Sequence, residues 1–98
     1  MTNYIYNANG NAVGFWSGQF IYQMNGSPVG QLNGTHVHKL SGGYIGELYQ
    51  DMVVDKHEGN YGNIGNPGHP GIHGMPGNPG SRGSMNCGYP DVFEKLLG

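Results

Sequence analysis

The chain has 98 residues, of which 36% are hydrophobic and 10% are charged. This length allows one small domain with a core of few side chains, and it excludes a large enzyme with a deep cleft. Four Lys and Arg residues stand against six Asp and Glu, for a formal net charge of −2, which leaves no basic cluster for nucleic acid. No apolar run is long enough to span a membrane and the N-terminus lacks the features of a signal peptide, so the expected location is the cytoplasm.

A repeat of sixteen residues runs through the first two thirds of the chain. Branched residues recur at this spacing (Ile5, Ile21, Val37 and Val53), and so do glycines (Gly14, Gly30, Gly46 and Gly62). Each unit joins two runs of β-forming residues through a pair such as Asn-Gly, which is the pattern of a β-hairpin. Four hairpins supply about eight short strands, the number that closes a barrel filled by its own side chains. The repeat predicts an all-β fold over residues 3–65, a shallow barrel with pseudo-four-fold symmetry.

The pair Asn9-Gly10 predicts how the first hairpin is aligned. Asn-Gly favours a two-residue type I′ turn, in which both central residues have positive φ. A two-residue loop at this point places Tyr6 opposite Val13 and Ile5 opposite Gly14. The same alignment is expected in the other repeats.

The predicted alignment divides the hairpin side chains between two faces. The first face carries Ile5, Gly14, Trp16 and their repeats. We predict that it forms the core, because glycine opposite each branched residue lets strands approach and leaves space for the larger side chains. The second face carries Tyr4, Tyr6, Val13, Phe15 and their repeats. Its character changes between repeats, which indicates a half-exposed surface.

The repeat unit, apolar-x-Asn-Gly-x-x-Val-Gly-x-Leu, is followed by Val-Val-Asp-Lys-His-Glu-Gly at residues 53–59. In these motifs the chain resembles the four-fold beta-flower proteins, small bacterial proteins whose hairpin repeats form a shallow pseudo-four-fold barrel. The resemblance covers residues 3–65. It implies a fold similar in shape to the tubby-like lipid-binding barrels, and it implies no established activity and no catalytic residues.

Glycine recurs at every third position from Gly59 to Gly83. A period of three fits polyproline II geometry, in which all the glycines lie along one edge. Three arrangements of this segment, residues 59–83, remain open. It could form a collagen triple helix with two other chains, pack as a polyproline-II strand along the barrel or against neighbouring chains, or be disordered.

A short helix is predicted at residues 90–98. Asp91 and Glu94 have the spacing of a capping box, and Gly98 stands where a helix could end. Four apolar residues would share one side of this helix: Val92, Phe93, Leu96 and Leu97. Two turns of helix are unstable alone, so we expect it to dock on the barrel.

The second face supplies the candidate site. Six of its residues form a predicted ligand or partner face: Tyr4, Tyr6, Phe20, Tyr22, His36 and His38. This strip could bind a partner, or the tail or helix could cover it. His36 and His38 are weak candidates for a metal site, with His57, Glu47, His69 or His73 as a third ligand, but a semi-exposed surface is the favoured interpretation. Cys87 is the single cysteine, so no intrachain disulfide is possible.

These patterns favour a non-enzymatic β module that binds a protein or self-assembles through its Gly-X-Y segment. No cofactor and no catalytic residue is predicted. One alternative is a binder of an apolar or lipid-like small ligand in the barrel mouth. The second alternative is a trimeric fibre or adhesin segment.

Overall fold

The computed structural model describes residues 3–56, 62, 64–65, 70–84 and 88–97. One antiparallel sheet holds seven strands, and each pairs with the next in the chain. The strands are β1 (Asn3–Tyr6), β2 (Ala12–Ser17), β3 (Phe20–Gln23), β4 (Pro28–Asn33), β5 (His36–Lys39), β6 (Tyr44–Tyr49) and β7 (Met52–Val54). The sheet curls until the N–H of Tyr6 in β1 donates to the carbonyl of Asp51 beside β7, at 2.7 Å. The predicted all-β fold, a shallow and nearly closed barrel, is confirmed.

The turns within the hairpins differ from the predicted type I′ turn. Residues 8–10 connect Asn7 to Asn11, the Gly10 N–H donates to the Asn7 carbonyl at 2.9 Å, and within the loop only Gly10 has a positive φ. This is a three-residue loop, a type I turn followed by a glycine in the left-handed region. The same hydrogen bonds recur at Gly26 and Gly42. A type I′ pattern with two positive φ angles occurs instead at Gln50-Asp51, between β6 and β7.

The longer loop changes the alignment of the first hairpin. Tyr6 pairs with Ala12 instead of the predicted Val13, and a bulge at Val13 then restores the predicted pairing of Ile5 with Gly14. The bulge reverses the face of the residue it contains. Three residues predicted on the outer side therefore pack against the core: Val13, Val29 and Ile45. Their fourth repeat, Tyr61, lies outside the described residues.

The predicted core is confirmed. All four branched repeat residues are fully buried in one cluster: Ile5, Ile21, Val37 and Val53. Trp16, Leu32 and Leu48 are partly buried and pack against them.

A C-terminal 3₁₀ helix (Phe93–Leu96) closes the barrel mouth, which we define as the opening lined by Gly14, Gly30 and Gly46. Each of these glycines makes room for one side chain: a methyl group at Gly14, Gly30 or Gly46 would lie 2.9, 3.0 or 3.1 Å from Phe93, Leu96 or Val92, respectively. The helix therefore docks as expected. Leu97 does not share the buried side and is 52% exposed, because a 3₁₀ helix aligns residues three apart and Leu97 falls off the Phe93–Leu96 row.

The fourth hairpin is not built as predicted. Ile64, expected in its return strand, is not in a strand, and its N–H donates to the carbonyl of Gly42. A distant segment pairs with β7 instead: Val92 donates to the Val53 carbonyl at 2.9 Å, and Asp55 donates to the Pro90 carbonyl at 3.0 Å. Residues 90–92 therefore occupy the position expected for an eighth strand.

The tail, which we define as residues 59–84, lies back along the barrel wherever it is described. Its amides contact the hairpin turns one after another: Ile64 donates to Gly42, His73 to Gly26 and Arg82 to Gly10, at 2.9, 2.9 and 3.0 Å. Of the three open arrangements, the described tail therefore adopts packing against the barrel. It departs from regular polyproline II, since Gly71, Gly77, Gly80 and Gly83 have φ angles of 86°, 77°, 83° and 82° instead of about −75°.

The third residue of each glycine triplet explains the spacing of these contacts. From residue 64 to residue 82, proline occupies that position at residues 67, 70, 76 and 79, whereas Ile64, His73 and Arg82 interrupt the series at intervals of nine residues; Tyr61 precedes this stretch. Proline has no N–H to donate. The three interruptions are the residues whose amides bind the hairpin turns.

Substitution of Gly26 should release the tail from the second hairpin. Gly26 and Gly34 both have positive φ, but an added Cβ collides with the His73 carbonyl only at Gly26 and meets nothing within 4 Å at Gly34. We expect Gly34→Ala to lower the free energy of unfolding by about 1–2 kcal/mol, the cost of a left-handed non-glycine residue. Gly26→Ala should lower it further and accelerate hydrogen exchange of the His73 amide. Equal effects of the two variants on unfolding and exchange would contradict the described tail contact.

Two substitutions of His73 distinguish the contribution of its amide to stability from that of its side chain. His73→Ala removes the ring alone, whereas His73→Pro also removes the N–H that donates to Gly26. We expect His73→Pro to be less stable than His73→Ala by about 0.5–1.5 kcal/mol, the net value of one hydrogen bond. Urea unfolding measures the difference, with Pro76→Ala as a control that should change little. If proline and alanine at position 73 gave the same stability, the amide contact would have no energetic role.

Candidate functional site

The six predicted site residues lie on β1, β3 and β5, on the side of the sheet that faces away from the barrel core, which we call the outer face. The structure brings them onto one surface, as predicted. Two of the six, Tyr22 and His38, are buried instead of half-exposed, whereas Tyr4, Tyr6 and His36 have the intermediate exposure that was predicted. Phe20 stays half-buried and pairs with Ser17 and Gln31 in the sheet.

The two tyrosines of β1 hold the last part of the tail. The Tyr4 hydroxyl lies 2.9 Å from the carbonyl oxygens of both Pro76 and Gly77, to which it donates. The Arg82 guanidinium lies over the Tyr6 ring at 4.3 Å and also donates to the Gln50 carbonyl at 2.8 Å. A cation over an aromatic face is attracted by the ring quadrupole. These tyrosines therefore bind this chain's own tail.

An aromatic cluster covers the middle of the outer face. Phe15 and Tyr22 stack with ring centroids 5.2 Å apart, and His73 of the tail lies 5.0 and 5.1 Å from these two rings. Tyr22 is only 6% exposed as a result. Sequence reasoning considered His73 only as a remote metal ligand. The missed signal was its place among the tail prolines, at a position that needs an N–H.

The two candidate metal ligands are held by different groups. His36 Nδ1 lies 2.6 Å from Glu47 Oε2, and His38 Nδ1 lies 3.0 Å from the Gly42 carbonyl oxygen. His38 is 1% exposed, so its predicted semi-exposed position is wrong, because the adjacent turn and the Tyr44 ring enclose it. Among the described residues no three His, Cys, Asp or Glu side chains form a metal site. His57, His69 and Cys87 lie outside those residues.

Glu47 is the centre of a polar cluster that sequence reasoning noted only as a possible metal ligand. The Thr35 and Tyr44 hydroxyls donate to its carboxylate at 3.0 and 2.9 Å, and His36 is the third donor. Burial alone would raise the pKa of Glu47, but the hydrogen bonds from His36, Tyr44 and Thr35 outweigh it and hold the pKa below its ordinary value of 4.5. The carboxylate is ionised at neutral pH, and it orients His36 with the proton on Nδ1.

A pocket of about 370 Å³ opens between β2 and the tail. Its apolar wall comes from Phe15, Trp16, Met75 and Pro76, with His73 beside them, and Asn3 and Ser17 add polar groups. Two tail side chains are largely in water: Met75, which lines the pocket, is 73% exposed, and Ile72, three residues earlier in the chain, is 77% exposed. Sequence reasoning did not single out these two residues. In the part of the chain that the structure describes, no helix has the length and apolar character that crossing a bilayer needs.

The Glu47 cluster should make stability depend on acidity. Because the pKa of Glu47 is lowered in the folded protein, its contribution is fully present above the ordinary value of 4.5 and is lost as the pH falls through the folded-state pKa. The free energy of unfolding should therefore fall more steeply for the wild type than for Glu47→Gln when the pH drops from ~5 to ~3. Denaturant unfolding across this range tests it, with the exposed Glu94→Gln as control. Parallel curves for the wild type and Glu47→Gln would refute this role of the cluster.

Comparisons with known proteins agree with the barrel geometry. The family described as "4-fold beta flower protein" matches residues 3–87, which extends past residue 65 and includes the tail. Searches of curated proteins and of solved structures found no match. The chain belongs to the 4-fold beta flower family.

Proposed function

We propose that this protein is a non-enzymatic module that binds a protein partner through an apolar patch on its tail. The tail patch consists of Ile72, Met75 and the pocket between β2 and the tail. The observation that carries the proposal is the exposure of Ile72 and Met75, 77% and 73%, on a segment that the barrel binds at His73 and at Pro76 and Gly77. Large apolar side chains grouped at a surface are typical of interaction sites.

The anchoring of the tail gives this exposure its meaning. His73, between the two residues, is bound through its amide to Gly26 and through its ring to the aromatic cluster. On the far side, Tyr4 holds the carbonyls of Pro76 and Gly77. A segment held in this way does not turn both side chains inward. Burial of such a side chain is worth about 1.5–3 kcal/mol, which a partner can supply.

The pocket beside Met75 defines the chemistry of the partner. Aromatic and apolar walls with two polar groups at the edge suit one bulky apolar or aromatic side chain that projects from a polypeptide. The chain's low charge provides no basic patch that would favour a nucleic acid. We therefore propose an apolar peptide segment as the group that docks here.

The contacts of the other candidates favour binding over the remaining functions. The donors around Glu47 all come from its own and the preceding strand or turn, which suits a structural role. The barrel mouth, the alternative site for an apolar small ligand, already contains Val92, Phe93 and Leu96, which a ligand would have to displace. A collagen fibre needs polyproline II geometry, from which five described tail glycines depart.

Selection of peptides against the full chain tests the proposal. Immobilised protein is panned with a random peptide display library, and the affinities of the selected peptides are then measured in solution. We expect enriched peptides to carry a bulky apolar anchor and to lose affinity by at least ~10-fold for Ile72→Ser/Met75→Ser, the loss typical of central anchors. Leu97→Ser removes another exposed apolar side chain, 52% exposed and outside the tail patch, and this variant should bind the peptides normally. Failure to enrich peptides, or peptides that bind the double variant unchanged, would overturn the proposal.

A further inference from the structure

The C-terminal segment, residues 88–97, completes the barrel although it is distant in sequence from the last strand, β7. Its backbone pairs with β7 through Val92 to Val53 and Pro90 to Asp55. Val54 and Asp91 form an isolated antiparallel bridge. The hairpins show the same relation between Tyr6 and Ala12, so Asp91 occupies the position that Ala12 has in the first repeat. The edge of β7 thus binds an added strand in the manner of β-augmentation.

The side chains of this segment add sequence selectivity to the backbone pairing. Val92, Phe93 and Leu96 are buried, and each lies over the core-facing glycine of a different hairpin. The Asp91 carboxylate accepts from the Ala8 N–H at 3.2 Å and from the Phe93 N–H at 3.1 Å. The mouth and the edge of β7 therefore form one site for a peptide of the form Asp-Val-Phe-x-x-Leu.

The described contacts that bind the segment to the barrel are made with residues 3–56. At its beginning, Tyr89 packs against Tyr49 at 5.6 Å, beside the Lys56 ammonium group. None of these contacts needs the segment to come from the same chain. Identical contacts form when a second copy supplies it, so the balance between the two forms depends on the connection and on protein concentration.

We propose that the barrel mouth and the edge of β7 form a peptide-binding site that accepts the C-terminal segment of a second copy, so that chains can associate by exchanging this segment. This proposal is independent of the tail patch. In a dilute solution the chain's own segment has an effective concentration on the order of millimolar and occupies the site. Exchange is therefore favoured where chains unfold and refold at comparable concentration or assemble close together.

Direct peptide binding tests the site. The full-length variant Phe93→Ser/Leu96→Ser retains the mouth but has a weakened segment of its own. We expect it to bind a labelled peptide of residues 88–98 with one peptide per chain, and at least ~10-fold more tightly than the wild type, whose own segment competes. A Glu94→Gln peptide should bind equally, since Glu94 is exposed, whereas a Phe93→Ser peptide should not. Equal binding of the native and Phe93→Ser peptides, or equal binding by the variant and wild-type chains, would overturn the proposal.

A second measurement tests exchange without weakening the segment. Met24 and Leu97 line one pocket beside the mouth. Two full-length chains, Met24→Cys and Leu97→Cys, each with Cys87→Ser, are unfolded together, refolded at high concentration and oxidised. We expect a disulfide-linked heterodimer whose yield falls several-fold when refolding is dilute or when Asn33→Cys replaces Met24→Cys. Absence of this heterodimer at high concentration, or the same yield with Asn33→Cys, would exclude exchange of the segment.

Discussion

The contact between tail amides and the carbonyls of the hairpin glycines is the constraint on which the outer half of this structure depends. Gly10, Gly26 and Gly42 lack a Cβ, which allows both the positive φ of the turn and the close approach of the tail. The tail matches them with a donating N–H at every ninth residue, and proline occupies every third triplet position between these donors. Glycine in each turn leaves room for the tail backbone, and proline carries no N–H at the tail positions where no such bond is made.

The barrel was predictable because its signals are local and repeated. Ile5 and its three repeats each precede a glycine by nine residues, on the return half of the same hairpin pattern, and they form the core as predicted. The predicted turn was one residue too short, because Asn-Gly also suits a three-residue loop. The bulge at Val13 shifts the register back, so Ile5 still pairs with Gly14. The partner of β7 could not be predicted, because Asp91 shows no hairpin pattern and reaches its place only through the docking of Val92 and Phe93.

The position of the candidate site was predictable from the sequence, but the exposure of its residues was not. The sequence pattern placed Tyr4, Tyr22 and His38 on one face, where they lie. Whether that face meets water or protein depends on the tail, and a triplet repeat alone fits packed, trimeric and disordered chains equally well. The most exposed large apolar side chains are therefore Ile72 and Met75 of the tail, and not the aromatic residues of the strands as predicted. The proposed tail patch follows from this arrangement, because the tail covers the outer face and presents its own apolar side chains to solvent.

The hairpins repeat every sixteen residues and the donating tail residues every nine, and each turn binds one donor from this distant part of the chain. Duplicating one hairpin would widen the ring but leave its new turn without an amide to bind. Duplicating three triplets alone would leave a slack length of chain with no turn to meet. A change in the number of hairpins therefore keeps every turn bound only if the length of the tail changes with it. The three donating residues, Ile64, His73 and Arg82, thus equal in number the three complete hairpins of β1 to β6.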